Sequence, residues 1–164
     1  MKFWDTSALV PLIVDEPATE DMRRLLADDR DVVVWMLTSV ELLSTLGRLG
    51  SAAPDLTDVL PGVRLDALEL FRKWAAVSHV EGVRRRAERL VGVHPLTAAD
   101  AMQLGAALLA SGDRPETLDF VTLDQPLGRC AQLEGFRVHP ASRSAEEFTH
   151  LRRDLRAKQL DTFE

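Results

Sequence analysis

The chain has 164 residues, 46% of them hydrophobic and 28% charged, with a formal net charge of −6 and a single cysteine. That length fits one domain with one sizeable core, and the composition excludes the disordered and membrane-spanning classes. The acidic balance excludes nucleic-acid binding by bulk electrostatics, which needs Lys and Arg massed on one face, and the lone Cys130 excludes an internal disulfide framework.

In chain order, "MKFW" reads as a short strand ending at Asp5, followed by a helix through "TSALVPLIV" that Asp15 and Glu16 close. This opening is too short and too soon charged for a secretory signal, and no run approaches the ~20 apolar residues of a membrane span, so a cytoplasmic address is expected. "PATEDMRRLLAD", Pro17 to Asp28, has its acids early and arginines late, as a helix does. "DVVVWML", Asp31 to Leu37, is β-branched without alternation and predicts a strand covered on both faces. "TSVELLSTLGRLG" predicts a helix from Thr38, with Gly50 as its stop.

Residues 51–63, with two prolines, read as a loop or an irregular helix. "RLDALELFRKWAAV", "VEGVRRRAERLVG" and "LTAADAMQLGAALLA" then make the middle of the chain all helical. "DFVTL" returns to a strand ending near Thr122, a helix begins around Asp124, and "FRVH" is a last strand. Strands alternating with helices predict an α/β fold: three layers, α/β/α, around a central parallel sheet whose sites lie at the carboxyl ends of its strands. Residues 1–140 are read as that domain and 141–164 as a polar helical tail of the same unit.

Asp5 ends the first strand, Glu41 lies in the first turn after the second, Asp100 opens a mid-chain helix, and Asp124 follows "FVTL". In a parallel sheet these four positions converge on one edge. Four carboxylates in a small volume repel one another unless a cation intervenes. An all-oxygen set selects Mg²⁺ or Mn²⁺ rather than zinc, and His79, His94, His139 and His150 are scattered singly, as structural or surface histidines are. Each acid also has a simpler reading: Thr97-x-x-Asp100 and Thr38-x-x-Glu41 match a capping box, and Asp124 is placed to cap a helix. Capping explains Asp100 least well, because the small, apolar helix behind it is built for burial; among the four it is the strongest metal candidate.

The hydroxyls of Thr6, Ser7 and Thr122 stand beside these acids as caps or as partners of a carboxylate or phosphate. Arg84 to Arg89 and Arg152 to Lys158 are the two basic stretches; each is a solvated helix face unless it meets a phosphate backbone. Trp4, Trp35 and Trp74 read as core, Cys130 as a buried helix residue, and Asp119 lies at the wrong end of its strand to join the four acids.

Four segments carry a family resemblance: "FWDTSALVPLIVDEP", "TSVELLSTLGRL", "LTAADAMQLGAALLA" and "FVTLDQPLGRCAQLEGFRV". In order, spacing and helix context the chain resembles the PIN-domain ribonucleases, and among them the VapC toxins of toxin–antitoxin pairs. The resemblance implies Mg²⁺ or Mn²⁺ dependence, endonucleolytic cleavage of RNA leaving a 5′-phosphate and a 3′-hydroxyl, and inhibition by a cognate antitoxin protein; separately, the apolar run "ALELFRKWAAV", Ala67 to Val77, suits a homodimer face as well as it suits burial inside the fold. The resemblance matches Asp5, Glu41, Asp100 and Asp124 to the family's acidic quartet; from the placement of the four, Asp5 and Asp100 are expected to hold the principal metal, and Glu41 and Asp124 to complete a second site or hold water. Ser51 to Gly62 and the tail after His139 have no counterpart in its motifs. The alternative is a PIN-like protein-interaction scaffold without catalysis; a phosphatase or receiver domain is disfavoured by the absence of D-x-D after the first strand.

Overall fold

The computed structural model describes residues 1–52 and 58–140. Five strands, β1 (Lys2–Trp4), β2 (Val32–Trp35), β3 (Ala75–Val77), β4 (Asp119–Val121) and β5 (Val138–His139), form a parallel sheet in the order β3-β2-β1-β4-β5. Between them run α1 (Thr6–Leu9), α2 (Thr19–Asp28), α3 (Thr38–Ala52), α4 (Leu60–Phe71), α5 (Val80–Val93), α6 (Ala98–Ala110) and α7 (Gln125–Leu133). None of these helices is long and apolar enough to cross a membrane.

The strand side chains alternate between faces, as pleating requires. Phe3, Val33, Trp35 and Phe120 face α5, α6 and α7, packing with Val83, Leu104 and Leu127. Trp4, Val32, Val34 and Val121 face the other way, onto Ala8 and Leu9 of α1 and Met22 of α2. Both faces are covered, which is why β2 reads as an unbroken apolar run rather than an alternating one. This is the expected three-layer α/β/α arrangement. The chain order reverses between β1 and β4, and in such sheets the crevice at that switch point, outside the strands' carboxyl ends, is where ligands bind.

Two expectations about the elements fail for physical reasons. Ala75–Val77 is a strand, not the end of a helix: α4 stops at Phe71, and the next residues pair in parallel with Val33–Trp35. Ala75 and Ala76 are exposed on this sheet edge, so no alternation marks the strand, and pairing overrides the helix preference of alanine. Gly50 does not stop α3, which continues to Ala52. Its missing side chain instead admits Leu60 of α4, since a Cβ there would stand 2.1 Å from Leu60 Cδ1. The irregular region 51–63 accordingly contains helix on both sides, with residues 53–57 outside the described residues. The tail, 141–164, also lies outside them, with its basic stretch Arg152 to Lys158 and His150. Trp4 and Trp35 are fully buried as expected, whereas Trp74 is half-buried against the α1–α2 side.

Gly105 lets α6 meet α5 closely: a Cβ there would lie 3.0 Å from the Val83 carbonyl oxygen and 3.2 Å from the Ala87 nitrogen. Both neighbours are backbone and cannot rotate away. Gly105→Ala is expected to destabilise the fold by about 1–3 kcal/mol through this overpacking, measured by urea unfolding. An unchanged midpoint would show that the two helices separate freely.

Candidate functional site

Asp5 follows β1 and caps α1, and its backbone N–H continues the β1–β4 pairing by donating to the Val121 carbonyl at 2.9 Å. Its side chain is 5% exposed. One oxygen, Oδ2, accepts from the Ser7 hydroxyl at 2.5 Å, the Thr122 hydroxyl at 2.9 Å and the Ser7 N–H at 3.2 Å. Burial still outweighs these bonds and holds the carboxyl above its ordinary range. No Lys, Arg or His pairs with it among the described residues.

Asp124 is fastened to Asp5 through the same two hydroxyls. Its N–H donates to Ser7 Oγ at 3.2 Å and to Thr122 Oγ1 at 3.1 Å, while its own Oδ1 caps α7 by accepting from Leu127 N–H at 2.8 Å. Ser7 Oγ also accepts from Leu123 N–H at 2.9 Å. One hydroxyl from the start of the chain therefore pins the turn between β4 and α7.

Glu41 does not complete a capping box. Thr38 turns its hydroxyl to Gln103, and Glu41 Oε2 accepts from Thr6 Oγ1 at 2.5 Å and from Gln103 Nε2 at 2.7 Å. Thr6 is the neighbour of Asp5, so the bonds of Glu41 and those of Asp5 join at consecutive residues. Gln103, 1% exposed, was visible in sequence only as a second polar residue in an apolar helix; its role could not be read without its partners.

Asp100 corrects an expectation. It is half-buried and bonded locally: Thr97 caps α6 by accepting from Asp100 N–H at 3.2 Å and donates its hydroxyl to Asp100 Oδ2 at 2.7 Å. Burial of α6 begins at the next residue, Ala101, so the first turn stands clear of the core and the desolvated acid is Asp5 instead. Asp100 is nevertheless three residues before Gln103 and on the same helix face.

Of the four acids, Asp5 and Asp124 are linked through Ser7 and Thr122, and Glu41 reaches Thr6, the neighbour of Asp5, and Gln103, whereas Asp100 bonds within its own first turn, to Thr97. The four do not form a tight cluster: among the described residues no three acidic, His or Cys side chains are close enough to grip an ion together. Each carboxylate commits one oxygen to the bonds above, while its other oxygen accepts no side-chain hydrogen bond among the described residues. A hydrated Mg²⁺ fits that pattern, because it keeps several waters and needs only one or two carboxylates.

The remaining candidates fall into structural roles. In α5, Arg84 pairs with Glu81 and Glu88, Arg85 with Glu81, Arg86 with Asp113 and Arg89 with Glu134, so this basic run is largely neutralised within the fold. His94 bonds Glu134 and His139 bonds Asp119. Glu134 is held below its ordinary range first by Arg89 and then by His94. Cys130, on α7, is buried, and burial pushes its thiol up.

The family description "PIN domain" matches residues 2–131, which takes in all four acids and both hydroxyl bridges. No curated protein matches the chain.

Proposed function

The chain belongs to the PIN-domain family, whose members are in general nucleases, and on that premise we propose that it is a Mg²⁺- or Mn²⁺-dependent endoribonuclease, the toxin of a toxin–antitoxin pair. The observation that carries the reading is Asp5: a carboxylate 5% exposed, placed at the switch point of the sheet with no cationic side chain among the described residues beside it. A buried charge left so is costly, and a bound cation offsets the cost.

Asp5 and Asp100 would hold the ion, with Glu41 and Asp124 as further ligands or water-holders. When bound, the metal polarises a phosphoryl oxygen and lowers the pKa of water for in-line attack. The chain's own part is positional. Ser7 and Thr122 fix Oδ2 of Asp5, Thr97 fixes Oδ2 of Asp100, and both leave the opposite oxygen for the ion.

An antitoxin would reach the same rim by offering Arg or Lys to these acids. A homodimer face in Ala67 to Val77 loses its support, since Ala67 is buried and Phe71 and Trp74 pack inward. The exposed apolar side chains Met36, Leu37 and Val40, at the β2–α3 turn beside Glu41, are better placed to meet a second copy.

The test is Mn²⁺-dependent cleavage of a mixed RNA pool by the parent and by Asp100→Asn, each checked for folding. Parent cleavage, reduced about tenfold or more in the variant, is the expected result. Full cleavage by Asp100→Asn would remove that residue from the site. The scaffold reading draws on the capping bonds of Asp5, Asp100 and Asp124; absence of both cleavage and Mn²⁺ binding in the parent would decide for it.

A further inference from the structure

We infer that Gln103 is a positioning residue of this site, whose amide sets the Glu41 carboxylate so that Glu41 presents one fixed, uncommitted oxygen to a divalent cation; the inference rests on the metallonuclease reading above. Gln103 lies in α6 among buried Ala101, Leu104 and Gly105, and is itself 1% exposed. Its Nε2 is 2.7 Å from Glu41 Oε2, 2.9 Å from Thr6 Oγ1 and 3.0 Å from Thr38 Oγ1.

The direction of the amide follows from its partners. Only the –NH₂ end of the amide can donate, and it faces Glu41 Oε2, while the Thr38 hydroxyl donates back to Gln103 Oε1 at 3.4 Å. Thr6 Oγ1 accepts from the amide and passes its own proton toward Glu41. Three helices, α1, α3 and α6, meet at one amide, and among the described residues the only charged group it serves is Glu41. Groups that orient a metal-bound carboxylate from behind act on affinity through that orientation. The same bonds tie the first turns of α6, and with them Asp100, to α3.

The experiment is Mn²⁺ calorimetry on the full chain for the parent, Gln103→Glu, Gln103→Met and Thr38→Val, with circular dichroism and metal-free melting of each. Gln103→Glu keeps the shape and loses the donor; Gln103→Met keeps the length and loses the polarity. Both are expected to bind Mn²⁺ about 10–100-fold more weakly with the parent's helical spectrum retained. Thr38→Val touches the amide and not Glu41, and should weaken binding by a smaller factor. A purely structural Gln103 would lower the melting temperature and leave Mn²⁺ affinity where it was, which overturns the inference while the metal site stands. A parent that binds no Mn²⁺ overturns the metallonuclease reading, and this inference with it. If the Gln103 variants do not fold, Thr38→Val decides alone: weakened binding supports the assignment and unchanged binding rejects it.

Discussion

Asp5→Asn should bind Mn²⁺ more than about 100-fold more weakly than the parent, beyond the 10–100-fold typical of outer partners, and should melt at a higher temperature in metal-free buffer at pH 7. The two effects have one cause. The carboxyl is desolvated, so the folded chain holds its proton more tightly than the unfolded chain does. Below the ordinary aspartate range, about 3.9, both states are protonated and the group contributes nothing. As pH rises through that range the unfolded chain ionises first, and the parent loses stability until the folded pKa is passed. Asn carries no proton to lose and keeps an oxygen for Ser7 and Thr122, so the gap in melting temperature should open between acid and neutral pH.

Mn²⁺ should close that gap in the parent, because an ion bound only by the folded state stabilises it by mass action, and should not move the variant. Melting curves with and without Mn²⁺ at several pH values read both effects together. Equal melting temperatures at pH 7, with equal responses to Mn²⁺, would show that Asp5 carries neither the strain nor the ion.

The largest effect on stability is expected from Phe120→Ala, about 3–5 kcal/mol. Phe120 is fully buried in β4, stacked on Phe3 of β1 with centroids 5.5 Å apart and tilted against Phe136 at 5.6 Å. Removing the ring empties the centre of the α5–α7 face, where Phe3 and Phe120 are also register partners in the sheet. In a protein whose total stability is about 5–15 kcal/mol, that is a fall in melting temperature on the order of 10 °C. Leu133→Ala, at a side chain 76% exposed, is the matched control and should leave the midpoint in place. Because Asp5 donates to the Val121 carbonyl beside Phe120, the core variant should also weaken Mn²⁺ binding; a full loss of stability with unchanged affinity would separate core from site.

The strand-and-helix alternation was legible because burial on both faces leaves continuous apolar runs such as "VVVW", and because Asp5, Thr97 and Asp124 stand at helix starts where their side chains accept backbone N–H groups. β3 was not legible, since an exposed edge strand of Ala75 and Ala76 carries no pattern. The positions of the four acids could be read from their neighbouring elements, whereas their environments could not. Helix composition pointed to Asp100 as the desolvated acid, yet desolvation falls on Asp5, which lies between two central strands. Gln103 was equally beyond reach, because its partners sit 65 and 97 residues away at Thr38 and Thr6.

The hydroxyl of Thr122 that holds Asp5 comes from 117 residues later in the chain. During synthesis, then, the first acid leaves the ribosome long before the strand that shields it. Until residue 122 has emerged and β4 has joined β1, Asp5 lacks its Thr122 bond and the wall that desolvates it, and Asp124 does not yet exist. Whatever chemistry this rim performs is withheld from the nascent chain until β4 and Asp124 have been made and joined to β1.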